Sequence, residues 1–127
     1  MLGNFQQSQL RIEVEATAEA IRNSLLRSAQ LEKWLPSGGF TTGMPEELHP
    51  GLQFTSKIGL FAIEHKVDIA TSNSLRLLLS QGIDGFHEWY WGEGWVQSRI
   101  EGVTIFPISL GQTLSLLSLR QFLTNKD

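Results

Sequence analysis

The chain has 127 residues, with ten Lys or Arg, 13 Asp or Glu and no Cys, which gives a formal net charge of −3 at pH 7. Disulfides, thiolate metal sites and Cys nucleophiles are therefore excluded, and an acidic chain lacks the basic face that phosphate binding requires. Because no apolar run approaches the ~20 residues of a membrane span, we expect one cytoplasmic domain over residues 1–127 that spans no membrane and binds no nucleic acid.

The first elements are predicted to be a strand and a helix. Residues Met1–Gln7 predict an irregular start, and the apolar alternation over Leu10–Ala16 predicts a half-buried strand. Thr17 is a favourable N-cap for a short helix that carries Ile21 and Leu25 on one face.

A second short helix is predicted between Ser28, its expected N-cap, and Pro36, which ends it. The segment Phe40–Leu48 is ambiguous, and we expect a strand there. A further strand is predicted over Leu52–Lys57, after the turn signal at residues 49–51.

Residues 61–69 and 75–79 alternate between apolar and polar side chains and predict the first hairpin of a meander. A loop of three residues, 71–73, would place both sets of apolar residues on one buried face. That face then includes His65 and Ile69.

The next hairpin is defined more sharply, because Glu93-Gly94 forms a two-residue turn that fixes the register of its strands. This register places Glu88 opposite Arg99 on a solvent-facing side, where such an ion pair contributes about 0.2–1 kcal/mol. The other side is apolar and buried, and its members are His87, Trp89, Trp91, Val96, Ser98 and Ile100.

The last element is a helix predicted over Gly111–Asn125. Apolar residues cover most of its circumference, so we expect the helix to be nearly surrounded. Ser115 and Ser118 fall among its buried residues, where they either point into a pocket or bond the carbonyl four residues earlier. As the only long helix, it is the element left to cover an antiparallel sheet in an α+β fold.

Taken together, these elements resemble the START-like, or SRPBCC, superfamily, which includes polyketide cyclase/dehydrase-like proteins and lipid-transfer domains. The resemblance covers nearly the whole chain: a strand ending in Thr17-Ala18-Glu19, two short helices closing with Trp34-Leu35-Pro36, a meander and a C-terminal helix. It implies a helix-grip fold, in which a curved antiparallel sheet wraps around the C-terminal helix and two short helices follow the first strand. It also implies an apolar cavity between sheet and helix, and transfers no catalytic residue.

The favoured function is binding of a hydrophobic small molecule, such as a lipid, an isoprenoid or an aromatic, polyketide-like compound, in that cavity. Trp89 and Trp91 could equally well fill the core instead of lining a cavity. Trp34 could anchor the two short helices to the sheet. The predicted ligand-binding residues are Trp34, Phe61, Ile63, His65, Leu77, His87, Trp89, Trp91, Ser98, Ser115, Leu119 and Phe122.

Two alternatives stay open beside ligand binding, so the sequence leaves open whether the chain is an enzyme. One is a cyclase or dehydratase in which His65 or His87 acts as a base. The purely structural interpretation is that each histidine is a core side chain hydrogen-bonded to a serine or the backbone. The other is a chaperone-activator-like interaction module with a packed core. No metal-ligand motif is present, so we predict neither metal nor cofactor. A homodimer is an open alternative.

Overall fold

The computed structural model describes residues 3–35, 43–58 and 61–125, which form a six-stranded antiparallel sheet and three helices. The strand order is 1-6-5-4-3-2, so strands two to six form a meander and the first strand pairs with the last. This confirms the predicted α+β helix-grip architecture. The elements are β1 Asn4–Glu13, α1 Ala18–Leu26, α2 Ser28–Trp34, β2 Gln53–Ile58, β3 Phe61–Ala70, β4 Ser74–Gln81, β5 Asp84–Gly92, β6 Trp95–Thr104 and α3 Ile108–Thr124.

The edge strand β1 begins at Asn4, so the expected irregular start is wrong for its described residues. Ten residues of β1 pair with β6, and this ladder orders the polar N-terminal segment. The Gln6 side chain donates to the carbonyls of Thr104 and Phe106 at 3.2 and 2.6 Å. It also accepts from the backbone N–H of Ile108 at 3.2 Å. Gln6 therefore supplies a hydrogen-bond acceptor for the first residue of α3. The helix begins at Ile108, three residues before the predicted start.

The predicted N-cap of α1 is confirmed, because Thr17 Oγ1 accepts from the N–H of Ala20 at 3.1 Å. The predicted cap at Ser28 is wrong, since Arg27 occupies the N-cap position of α2 without a side-chain hydrogen bond. Ser28 instead donates its hydroxyl to the carbonyl of Pro45 at 2.6 Å. The hydroxyl thus attaches α2 to the segment that follows it.

The strand expected over Phe40–Leu48 is not found in its described part, and residues 40–42 lie outside the described residues. Residues 43–48 contribute a single bridge, between Glu47 and Arg27. Ion pairs join the segment to α1 and to the residue that follows it, with Glu47 at 2.9 Å from Arg22 and Glu46 at 3.2 Å from Arg27.

The β3–β4 hairpin has the predicted three-residue loop and a bulge that the sequence analysis missed. Val67 pairs with Leu77, but Ile69 pairs with Arg76, so the register shifts between them. Asp68 is the extra residue, and the bulge turns Ile69 to the outer face, where 44% of it is exposed. The expected burial of Ile69 is therefore wrong, whereas His65 lies on the inner face as predicted.

The β5–β6 hairpin has the predicted register, with Glu88 opposite Arg99 and Trp89 opposite Ser98. Glu88 is nonetheless buried, with 8% of it exposed, which corrects its expected solvent exposure. It forms ion pairs with Arg76 of β4 and with Arg99, and both guanidinium groups also lie over the ring of Phe86. This outer-face cluster covers the Glu88 carboxylate.

The helix α3 packs on the sheet and on the two short helices through buried residues that include Leu116, Leu119 and Leu123. It is not surrounded as expected, because Leu114 and Leu117 are exposed, as is Leu110. None of the helices in the described ranges has the length and hydropathy that a membrane crossing requires.

A pair of glycine substitutions tests the close packing of the β5–β6 hairpin. A Cβ at Gly85 would overlap the carbonyl oxygen of Glu101 in the neighbouring strand, whereas a Cβ at Gly111 of α3 meets nothing within 4 Å. We expect Gly85→Ala to lower the free energy of unfolding by about 3 kcal/mol. Gly111→Ala should raise it by about 0.5–1 kcal/mol, because alanine favours the helix. Urea denaturation checks both, and equal stabilities would contradict the described packing.

Candidate cavity between sheet and helices

A cavity of about 350 Å³ lies between the inner face of the sheet and the three helices. Leu110 and Leu114 line it and are each more than half exposed, so it opens beside the first half of α3. Its lining is mainly aliphatic and aromatic, and no Lys, Arg, Asp or Glu side chain among the described residues contributes to it. The polar side chains of the lining are Ser56, His65, His87, Gln112 and Ser115.

The volume has an energetic consequence. At about 24 cal/mol per Å³, a dry, empty void of this size would cost roughly 8 kcal/mol. That is comparable to the whole stability of a typical domain, about 5–15 kcal/mol. Water or a ligand in the cavity avoids much of this cost, and the polar lining groups give such an occupant hydrogen-bond partners.

His87 is half-buried and belongs to a chain of three hydrogen-bonded polar side chains. Its Nε2 atom lies 2.7 Å from Ser98 Oγ, and Ser98 Oγ accepts from Gln112 Nε2 at 3.1 Å. Ser98 and Gln112 are almost fully buried, and Gln112 comes from α3. The chain therefore joins β5, β6 and the helix at one wall of the cavity. The His87 ring also lies 4.6 Å from the Trp89 ring.

His65 forms a separate pair on the other side of β4. Its Nε2 atom lies 2.8 Å from Ser56 Oγ of β2, and its ring stacks on Phe54 at 4.7 Å with an interplanar angle of 6°. The Nδ1 atom of His65 is buried and has no hydrogen-bond partner among the described residues. Serine partners thus satisfy one nitrogen of each histidine.

Both histidines are neutral at pH 7. Burial lowers the pKa of His65 from 6.5 to about 4. Burial, and then repulsion from His65, lowers the pKa of His87 to about 3. The imidazoles therefore act in this cavity as neutral hydrogen-bonding groups.

Trp34 combines the two roles considered for it. Its indole N–H donates to the carbonyl of Ser24 at 2.8 Å, which anchors α2 to α1, and its ring meets that of Trp89 edge-on at 6.0 Å. The side chain also lines the cavity. Among the twelve residues predicted to bind a ligand, those that line the cavity are Trp34, Ile63, His65, Leu77, His87, Trp89 and Ser115.

Five predicted residues do not line the cavity, which corrects their expected placement. Phe61 is 43% exposed and packs against Phe106, because it lies at the end of β3. Trp91 is buried beside the turn of the β3–β4 hairpin, where its indole N–H donates to the carbonyl of Ser72 at 3.0 Å. Their contacts give both residues structural roles.

The other three residues lie behind the lining or beyond it. Ser98 is fully buried beneath His87, and Leu119 is fully buried in the core. Phe122 is half-buried in the last turns of α3, beside a separate shallow pocket. Ser118, one turn earlier, donates its hydroxyl to the carbonyl of Trp34 rather than to its own helix.

Sequence reasoning missed Ser56 and Gln112. Ser56 is two residues from Phe54 on a predicted strand, so both side chains share the inner face. The period-2 pattern could therefore have identified it. Gln112 gave no such signal, since the predicted helix began only one residue before it. Its partners, Ser8 and Ser98, come from β1 and β6. Among the described residues, no group of three or more His, Asp or Glu side chains could hold a metal ion.

Comparison with known proteins identifies the fold and no closer relationship. No family model and no curated protein matches the chain. A solved protein from Chromobacterium violaceum is 17% identical, with a TM-score of 0.73 over 92% of this chain and 96% of that one. An AHSA1-like protein from Aeromonas hydrophila is 17% identical, with a TM-score of 0.69 over 94% and 92%.

A protein of the dynemicin biosynthetic locus is 12% identical, with a TM-score of 0.71 over 94% of this chain. This chain spans 47% of that protein. At these identities the likenesses show a shared helix-grip fold alone.

The lowered pKa values predict how stability depends on pH. Between pH 6.5 and about 4 the two histidines bind protons in the unfolded chain but not in the folded protein. The free energy of unfolding therefore falls as the pH falls. From pH 7.5 to 5.0 we expect a loss of about 2 kcal/mol for each histidine. Urea denaturation of His65→Asn/His87→Asn should show a much flatter profile.

The control for this prediction is His49→Asn, which removes an exposed histidine that does not line the cavity. It should keep the wild-type pH profile. An unchanged profile in the double variant would show that the two buried histidines titrate normally and would contradict their burial as neutral groups.

Proposed function

We propose that the protein is an SRPBCC-type binding protein, with one domain over residues 1–127, that holds a hydrophobic small molecule in the cavity between sheet and helices. The observation that carries this proposal is the cavity itself: about 350 Å³, open beside α3, and lined mainly by apolar side chains with a few polar groups. Small-molecule sites in proteins have this character and begin at about 300 Å³.

The composition of the lining bears on the class of ligand. Trp34, Trp89 and Phe54 offer aromatic surface, and Leu75, Leu77 and Leu79 offer aliphatic surface from the sheet. No ionised side chain among the described residues lines the cavity to neutralise a charged ligand. An aromatic, isoprenoid or lipid-like molecule of modest size is therefore the favoured occupant. One similar protein comes from the dynemicin biosynthetic locus, and this setting agrees with a ligand of this class.

The two alternative functions are less well supported. A cyclase or dehydratase would need a general base, and efficient bases have a pKa near the working pH. The pKa values of about 4 and 3 leave His65 and His87 far below that range. An interaction module with a packed core agrees with the likeness to the AHSA1-like protein, but a packed core would not leave about 350 Å³ open.

Substitution of neighbouring leucines on β4 tests the proposed function. Leu77 is buried and lines the cavity, whereas Leu78 points to the outer face and is 38% exposed. We expect the wild-type protein to bind the neutral probe N-phenyl-1-naphthylamine with a negative heat-capacity change, because apolar surface is buried. Leu77→Trp should fill the cavity and weaken binding at least about tenfold, which is 1.4 kcal/mol.

Titration calorimetry measures this binding, and Leu78→Trp is the matched control, since it adds the same side chain outside the cavity. It should bind like the wild type. Absence of binding to the wild type by this probe and by other neutral aromatic probes, or equal binding by the wild type and both variants, would contradict the proposed site.

A further inference from the structure

The orientation of the Gln112 amide is fixed by its partners. Its Nε2 atom lies 3.2 Å from the carbonyl oxygen of Ser8 and 2.9 Å from that of Ser98, and a carbonyl can only accept. Its Oε1 atom accepts from Ser8 Oγ at 2.6 Å. A flipped amide would place Oε1 against two carbonyl oxygens, so the N–H groups must face the carbonyls of Ser8 in β1 and Ser98 in β6.

This orientation decides which way the Ser98 hydroxyl points. The amide nitrogen lies 3.1 Å from Ser98 Oγ and can only donate, so Ser98 cannot give its proton to Gln112. The remaining neighbour is Nε2 of His87 at 2.7 Å. Ser98 therefore donates to Nε2, and the proton of the neutral His87 ring lies on Nδ1.

The protonated nitrogen of His87 has no hydrogen-bond partner among the described residues. His87 lines the cavity, and no hydrogen bond joins its Nδ1 atom to the described residues. Nδ1 is also not among the buried polar atoms that lack a partner, so it keeps accessible surface. His87 lies on the inner face between Leu77 and Ile100, which also line the cavity, so this surface is open to an occupant of the cavity. An N–H donor is thus presented to whatever the cavity holds.

We propose that the cavity selects an uncharged ligand with a hydrogen-bond acceptor, such as the carbonyl oxygen of an aromatic ketone, and that this oxygen accepts the Nδ1–H bond of His87. Ser98 and Gln112 are positioning residues that hold the ring in its Nδ1–H form. The proposal deepens the proposed function and rests on it. A hydrocarbon of the same shape leaves the N–H unpaired, and a carboxylate loses its hydration in a lining without cations.

The first test compares three probes of similar shape: 2-acetylnaphthalene, 2-isopropenylnaphthalene and 2-naphthoate. The wild-type protein should bind the ketone about three- to tenfold more tightly than the hydrocarbon, which is the range expected for one hydrogen bond. It should bind the carboxylate more weakly than the ketone at pH 7.5. His87→Phe should remove the preference for the ketone, and His49→Phe, the same change at an exposed position outside the cavity, should keep it.

The second test reads the ring proton directly and needs no ligand. The ¹⁵N NMR shifts of the His87 ring should show Nδ1 protonated and Nε2 unprotonated in the wild type. Ser98→Ala and Gln112→Leu should each mix the two forms and reduce the ketone preference. Gln121→Leu changes an exposed glutamine on the same helix and should do neither.

The outcomes separate the two proposals. If N-phenyl-1-naphthylamine and the two neutral naphthalene probes all fail to bind, the proposed function fails, and the inference fails with it. If the hydrocarbon binds as tightly as the ketone, or if Nε2 carries the ring proton in the wild type, this inference is overturned while the proposed function stands.

Discussion

The two-residue turn at Glu93–Gly94 is the constraint on which the cavity chemistry depends. It fixes the register of β5 and β6, and because side chains alternate along a strand, a slip of one residue would exchange the two faces. In the observed register His87 and Trp89 face the helices, and Ser98 lies where its hydroxyl reaches His87. The placement of His87, Trp89 and Ser98 on the inner face therefore follows from a local turn and does not depend on contacts with α3.

The two faces of this hairpin are stabilised differently. On the outer face, Arg76 and Arg99 enclose the Glu88 carboxylate and lie over Phe86, which closes that surface with ion pairs and an aromatic ring. On the inner face Trp91 is buried outside the cavity, whereas Trp89 and His87 line it. These outer-face contacts join β4, β5 and β6 without using the inner face, which stays open for a ligand.

The register of the β5–β6 hairpin and the inward side chain of His87 were predicted from alternation and turn length. The helix-grip fold was predicted from the order of elements and the family resemblance that it carried. Ile69 was misplaced because the bulge at Asp68 inserts a residue, which alternation cannot reveal. Gln112 was missed because its role depends on two strands that are distant in sequence, and Phe61 because alternation identifies a face but not where the cavity ends.

The central proposal for this protein is that the space beside His87 holds a neutral organic molecule. A high-resolution crystal structure of the protein purified from its own host tests this most directly. We expect electron density for such a molecule in the cavity, with an oxygen atom about 3 Å from Nδ1 of His87 and a ring or chain against Trp89. A structure in which the lining side chains close the cavity, leaving no space beside His87, would contradict it.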